Sequence, residues 1–149
     1  MASIHRDVVI DVGAEVAWAA LREVAEARDL FAPVLTGSSA ADGVRTVVFA
    51  NGMQIHERIL DVCDDHRRVA YAAIDAPGVS YHHAAMQIEI AGPGRCRFVW
   101  ITDVLPAEAA AVIAPLMDQG TAALKRNLEA RATAPRASAA QAASALPRP

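Results

Sequence analysis

The chain has 149 residues, a hydrophobic fraction of 54% inflated by alanine, and a formal net charge of −3. That length predicts one domain with a core that needs neither metal nor disulfide, and a weak negative charge argues against a nucleic-acid or acidic-membrane binder. Cys63 and Cys96 form no CxxC, the N-terminal "MASIHRDVVIDV" has no apolar signal core, and no apolar run approaches the ~18 residues of a membrane span, so a soluble, cytoplasmic protein is expected.

"IHRDVVIDV" (4–12) is short and β-branched, a strand that Gly13 ends. "AEVAWAALREVAEARDLF" (14–31) repeats its apolar residues at helical spacing and predicts one helix, with Pro33 at the following turn. "VLTGSSA" reads as a strand and Asp42-Gly43 as a turn. "GVRTVVFA" and "MQIHERILDV" flank Asn51-Gly52, the strongest short hairpin signal. "RRVAYAAID", "YHHAAMQIEIA" and "RCRFVWITDVL" are three further strands, separated by "APG" and "GPG" turns. Pro106 then opens a long alanine-rich helix in which Pro115 predicts a kink or a split. The "APRASAAQAASALPRP" end is too biased in composition to contribute a core. A domain over 1–133 and an Ala/Pro-rich tail over 134–149 follow. Segregated strands and helices predict an α+β fold, with about six to seven antiparallel strands against the C-terminal helix.

The hairpin decides where Glu57 points. With a two-residue Asn-Gly loop, Val48 faces Ile55, Thr46 faces Glu57 and Val44 faces Ile59. Opposed residues share a face, so Val44, Thr46, Val48, Ile55, Glu57 and Ile59 are expected inward, and Arg45, His56 and Arg58 outward. An inward carboxylate costs free energy unless it has a partner, and desolvation raises its pKa. Perturbed carboxylates in cavities are candidates for function; a structural Glu held by a polar neighbour is the plainer alternative. No Lys or Arg belongs to this inward set, which leaves His82 as the expected cation, with Tyr71, Thr46 or His82 as hydrogen-bond partners.

Alternation places Cys96, Phe98, Trp100, Thr102 and Val104 on one face of the last strand, and His82, Ala84, Met86, Ile88 and Ile90 on one face of the strand before it. Tyr71 is assigned inward by its bulk. Trp100 reads more readily as core than as a platform for a ligand, and His82 more readily as a buried structural histidine than as an acid–base group. His56, His66, His82 and His83 lack metal-site spacing, "GPGRC" is no phosphate loop and GxSxG is absent. Neither a metal nor a cofactor is expected.

The pieces "VAWAALREV", "GVRTVVFANGMQIHERILDVCDDHRRVAYAAI", "GRCRFVWITDVLP" and "LKRNLE" resemble the polyketide cyclase/dehydrase branch of the START-like (SRPBCC) superfamily. The resemblance covers roughly residues 4–130 and departs at "SYHHAA", where an Asn-Tyr is expected. It implies the helix-grip fold of the birch pollen allergen, a curved antiparallel sheet wrapped around a long C-terminal helix and enclosing an apolar cavity. It implies a ligand such as a lipid, sterol or polyketide, but no shared catalytic motif.

Three functions stay open. The first is a carrier or sensor of a small apolar ligand, lined by Thr46, Val48, Ile55, Glu57, Ile59, Tyr71, His82, Met86, Phe98, Trp100 and Leu116. The second is an aromatic cyclase or dehydratase with Glu57 as general base and Tyr71 or His82 as proton donor. The third is an interaction module using the long helix or the tail. A second copy of the chain is left open as a partner.

Overall fold

Seven strands rich in β-branched and aromatic residues pair into one antiparallel sheet, and one long helix closes its inner face. The computed structural model describes residues 1–133; the expected tail, 134–149, lies outside the described residues. In chain order the elements are β1 (Ala2–Ile10), α1 (Ala14–Leu21), α2 (Ala27–Phe31), β2 (Leu35–Ala41), β3 (Val44–Phe49), β4 (Gln54–Cys63), β5 (Arg68–Ala73), β6 (Tyr81–Ile90), β7 (Cys96–Leu105) and α3 (Ala110–Thr133). Strands β2 to β7 follow one another across the sheet, and β1 joins beside β7, giving the order β1-β7-β6-β5-β4-β3-β2. This is an α+β helix-grip arrangement.

The single helix expected over 14–31 is two. A short 3₁₀ turn, Val24–Glu26, separates α1 from α2. The break is held from outside: the Ser38 hydroxyl on β2 accepts the Arg28 N–H and donates to the Ala25 carbonyl. These backbone groups would otherwise bond within a continuous helix. Each helix then buries its own apolar residues, Trp18 and Leu21 on one, Leu30 and Phe31 on the other.

α3 runs 24 residues, through Pro115, without the expected split. Pro115 cannot donate to the Ala111 carbonyl, but Ala111 is exposed, so water can take that bond. The two halves of α3 differ. Leu124 and Leu128 are fully buried, and the Asn127 amide donates to the carbonyls of Leu30 and Ala32, tying the helix to α2. Nearer the N-terminus, Leu116 is only half-buried and Val112 is exposed.

Candidate functional site

The hairpin carrying Glu57 differs from the expected one in its loop. The Phe49 N–H donates to the Met53 carbonyl and the Gly52 N–H to the Phe49 carbonyl, so Phe49 and Met53 close the hairpin around Ala50, Asn51 and Gly52. Gly52 alone of these has positive φ, at 90°, which fits a loop with one left-handed position rather than the two of an Asn-Gly type I′ turn. The doubly left-handed turn is instead at Asp42-Gly43, with φ of 54° and 76°.

The added loop residue slides β3 by one position against β4. The observed pairs are Val44 with Arg58, Arg45 with Glu57, Thr46 with His56, Val47 with Ile55 and Val48 with Gln54. On β4 the expected face holds: Ile55 and Glu57 point inward. On β3 it is reversed. Thr46 and Val48 lie on the outer face with His56, and Arg45, Val47 and Phe49 lie inside. Thr46 and Val48 are therefore removed from the expected lining, and Thr46 cannot be the partner of Glu57.

That partner is Arg45. Its Nε donates to Glu57 Oε1 at 2.9 Å, and the two side chains are only 7% and 12% exposed. Arg45 also reaches toward the Val24 carbonyl, and its guanidinium lies 4.9 Å from the centre of the Tyr71 ring, within cation–π range. Burial raises the pKa of Glu57 above the ordinary carboxylate value, and the charge and hydrogen bond of Arg45 oppose that rise. The cation beside Glu57 is this arginine, not His82.

Tyr71 and His82 enter the same space from β5 and β6, as expected, their ring centres 5.8 Å apart. Ala73 and Ala84 beside them leave room for the two rings. Burial, and then the negative charge of Glu57, push the Tyr71 hydroxyl well above its ordinary pKa. The His82 Nδ1 accepts the Ala73 N–H at 3.0 Å. Burial, helped by the neighbouring His83, lowers its pKa to about 4. The ring is thus neutral near pH 7, and because Nδ1 accepts, its proton sits on Nε2.

Trp100 on β7 forms the next wall. It packs against Phe31 with ring centres 5.8 Å apart, and its indole N–H is buried without a hydrogen-bond partner. Its approach to the Tyr71 oxygen still partly offsets the rise in that hydroxyl's pKa. Gly120 on α3 makes this placement feasible, because a Cβ there would stand 2.9 Å from Trp100 Cζ3.

Together these groups border a cavity of about 490 Å³ between the sheet and α3. Of the expected lining, Ile55, Glu57, Tyr71, His82, Met86, Trp100 and Leu116 contribute to its wall. Phe98 and Ile59 do not: Phe98 is fully buried behind Trp100, meeting it edge-on at 6.1 Å, and Ile59 packs against the core. The sequence reading missed Arg45, Val47 and Phe49, all through the slipped register. It also missed Gly120, for which α3 gave no local signal. The exposed lining residues Pro77, Gly78, Glu108 and Val112 mark the rim. Among the described residues no three His, Cys, Asp or Glu side chains converge as metal ligands, and no helix is long and apolar enough to cross a membrane.

An antiparallel sheet gripping a C-terminal helix, with a polar cluster set in an apolar cavity between them, defines a helix-grip protein of the SRPBCC class. The chain belongs to the family described as polyketide cyclase / dehydrase and lipid transport, which it matches over residues 1–129. Among solved structures it is similar to an uncharacterized protein from Bacillus thuringiensis, with a TM-score of 0.78 at 19% identity over 85% of this chain and 98% of that one. It is similar to truncated norcoclaurine synthase from Thalictrum flavum, with a TM-score of 0.67 at 19% identity over 86% and 91% of the two chains. It is also similar to the di-domain ARO/CYC BexL from the BE-7585A biosynthetic pathway, with a TM-score of 0.73 at 19% identity over 87% of this chain and 47% of that one. At these identities the likeness is one of fold. No curated protein matches the chain.

Proposed function

We propose that the protein binds a small apolar ligand in this cavity, as a carrier or sensor. The observation that carries the reading is the cavity itself: about 490 Å³, walled by apolar side chains such as Val47, Phe49, Ile55 and Met86, with Arg45, Glu57, Tyr71 and His82 among them. Concave, largely apolar sites with a few polar groups are the usual form of small-molecule sites, and this volume falls in their range of roughly 300–1,000 Å³. Family membership supports the reading in general terms. Native mass spectrometry of the full chain purified from its host tests it. The expected result is a small-molecule adduct that is absent from a variant with the cavity filled by Ile55→Trp. A chain that carries no adduct and shows no saturable binding of the neutral dye Nile red does not have this function.

A second reading, a cyclase or dehydratase, is favoured by one feature. Glu57 has a raised pKa, and His82 holds a proton on Nε2 in the same cavity, an arrangement that pairs a base with a donor. Norcoclaurine synthase, a synthase by name, shares the fold. The two readings separate on turnover: if Glu57 is a general base, Glu57→Gln lowers any turnover by roughly 10²–10⁴-fold, whereas a carrier has no turnover to lose.

A further inference from the structure

The polar groups of the cavity carry no uncompensated positive charge. Arg45 and Glu57 neutralise each other at 2.9 Å, both nearly buried. Burial favours the protonated form of Glu57, but the charge and hydrogen bond of Arg45 oppose it, because protonation would strand the guanidinium away from water. Glu108, the other charged residue of the lining, is an exposed carboxylate at the rim. A carboxylate or phosphate ligand would therefore approach two anions and find no free cation.

What the cavity does offer is neutral hydrogen-bond donors. His82 Nδ1 is occupied by the Ala73 N–H, so the ring presents Nε2–H. The Tyr71 hydroxyl keeps its proton. The two rings are 5.8 Å apart, within reach of one functional group. Trp100 adds an indole N–H, buried with no partner in the protein, for which an acceptor oxygen arriving beside Tyr71 would compensate. The surrounding walls, Phe31, Phe49, Trp100 and Met86, suit a flat ring system, since aromatic and thioether side chains pack well on ring faces and edges.

We infer that the cavity selects by charge: it takes an uncharged, ring-bearing molecule whose polar group is an acceptor oxygen, held by Tyr71, His82 and Trp100, and rejects the carboxylate of the same shape. The inference rests on the ligand-binding reading above and adds the chemical class to it.

Three probes of one shape test it on the full chain at pH 7.5, by calorimetric titration: 2-acetylnaphthalene, 2-naphthoate and 2-isopropylnaphthalene. The ketone is expected to bind roughly tenfold more tightly than the hydrocarbon, the worth of one or two net hydrogen bonds, and more tightly still than the carboxylate. Tyr71→Phe keeps the ring and removes one donor. It should narrow the ratio of ketone to hydrocarbon affinity, and a cooperative thermal melt shows that the variant folds. Naphthoate binding as well as the ketone overturns the selection by charge with the cavity reading intact. Equal affinity for ketone and hydrocarbon overturns the role of the donors. If none of the three binds, the ligand-binding reading falls and takes this inference with it.

Discussion

Arg45 and Glu57 have the least exposed side chains of any ion pair among the described residues. Both are buried, at 7% and 12% exposure, so removing one charge leaves the other without water or partner. Glu57→Gln is therefore expected to cost about 3–5 kcal/mol in urea denaturation, while the double replacement Arg45→Met with Glu57→Leu is close to neutral. A loss below about 1 kcal/mol for the single change would place the pair in solvent-like surroundings instead. The direction of Glu57 was legible from the alternation of β4 alone, but its partner was not. The Asn-Gly pair fits two loop lengths, and the choice between them decides whether Arg45 or Thr46 sits opposite Glu57. The overlooked signal was charge: only the observed register sets opposite charges directly across the strands. His82 supplies a second prediction. The unfolded chain holds its imidazole proton up to about pH 6.5, the folded chain only below about 4. Between those values the unfolded state binds more protons, so stability falls as pH drops through the window. His82→Gln should flatten that part of the stability–pH curve; an unchanged slope between pH 6.5 and 4 would mean that the ring titrates normally in the fold.

At the scale of elements, Gly120 is the position where a helix makes room for a sheet side chain. Glycine inside a helix is less favourable than alanine by about 1 kcal/mol, so by helix propensity alone Gly120→Ala should stabilise α3. The 2.9 Å approach of its Cβ to Trp100 argues the reverse. We expect Gly120→Ala to push the indole toward the cavity, lower stability, and weaken binding of any ligand that fills the space. Adding Trp100→Phe should restore stability, and the binding of a ligand that does not use the indole N–H, because the smaller ring vacates the clash. Thermal melts and dye titration of the two variants decide it: a stabilised Gly120→Ala with unchanged binding rules the contact out. The sequence could not announce this, since the atom that needs the space belongs to β7. The division of α1 from α2 was hidden for the same reason, its hydrogen-bond partner being Ser38 on β2. Where an element's limits come from its own residues, as at Gly13 or Pro106, the reading was close.

For the whole molecule, the order of strands and helices was enough to indicate an α+β sheet with a covering C-terminal helix, because each strand alternates and each helix repeats on its own period. The shape of the void was not. Phe98 and Trp100 share a face of β7, yet one is sealed in the core and the other borders the cavity; depth along that face is set by how far α3 covers it, which no single strand encodes. The unequal anchoring of α3 carries a kinetic consequence. Its C-terminal half is fixed by Leu124, Leu128 and the Asn127 amide, whereas its N-terminal half spans open space, leaves Val112 68% exposed and lacks the bond that Pro115 cannot donate. Local opening free energies follow such differences in burial and bonding. Backbone amides near 112–118 should exchange with deuterium faster than those near 121–128, and a ligand should leave by lifting this loose end rather than by parting the strands. Pro115→Ala, which restores the missing donor, should then slow release several-fold with little change in the strand amides; uniform exchange along α3, or an unaltered release rate, would send the route elsewhere.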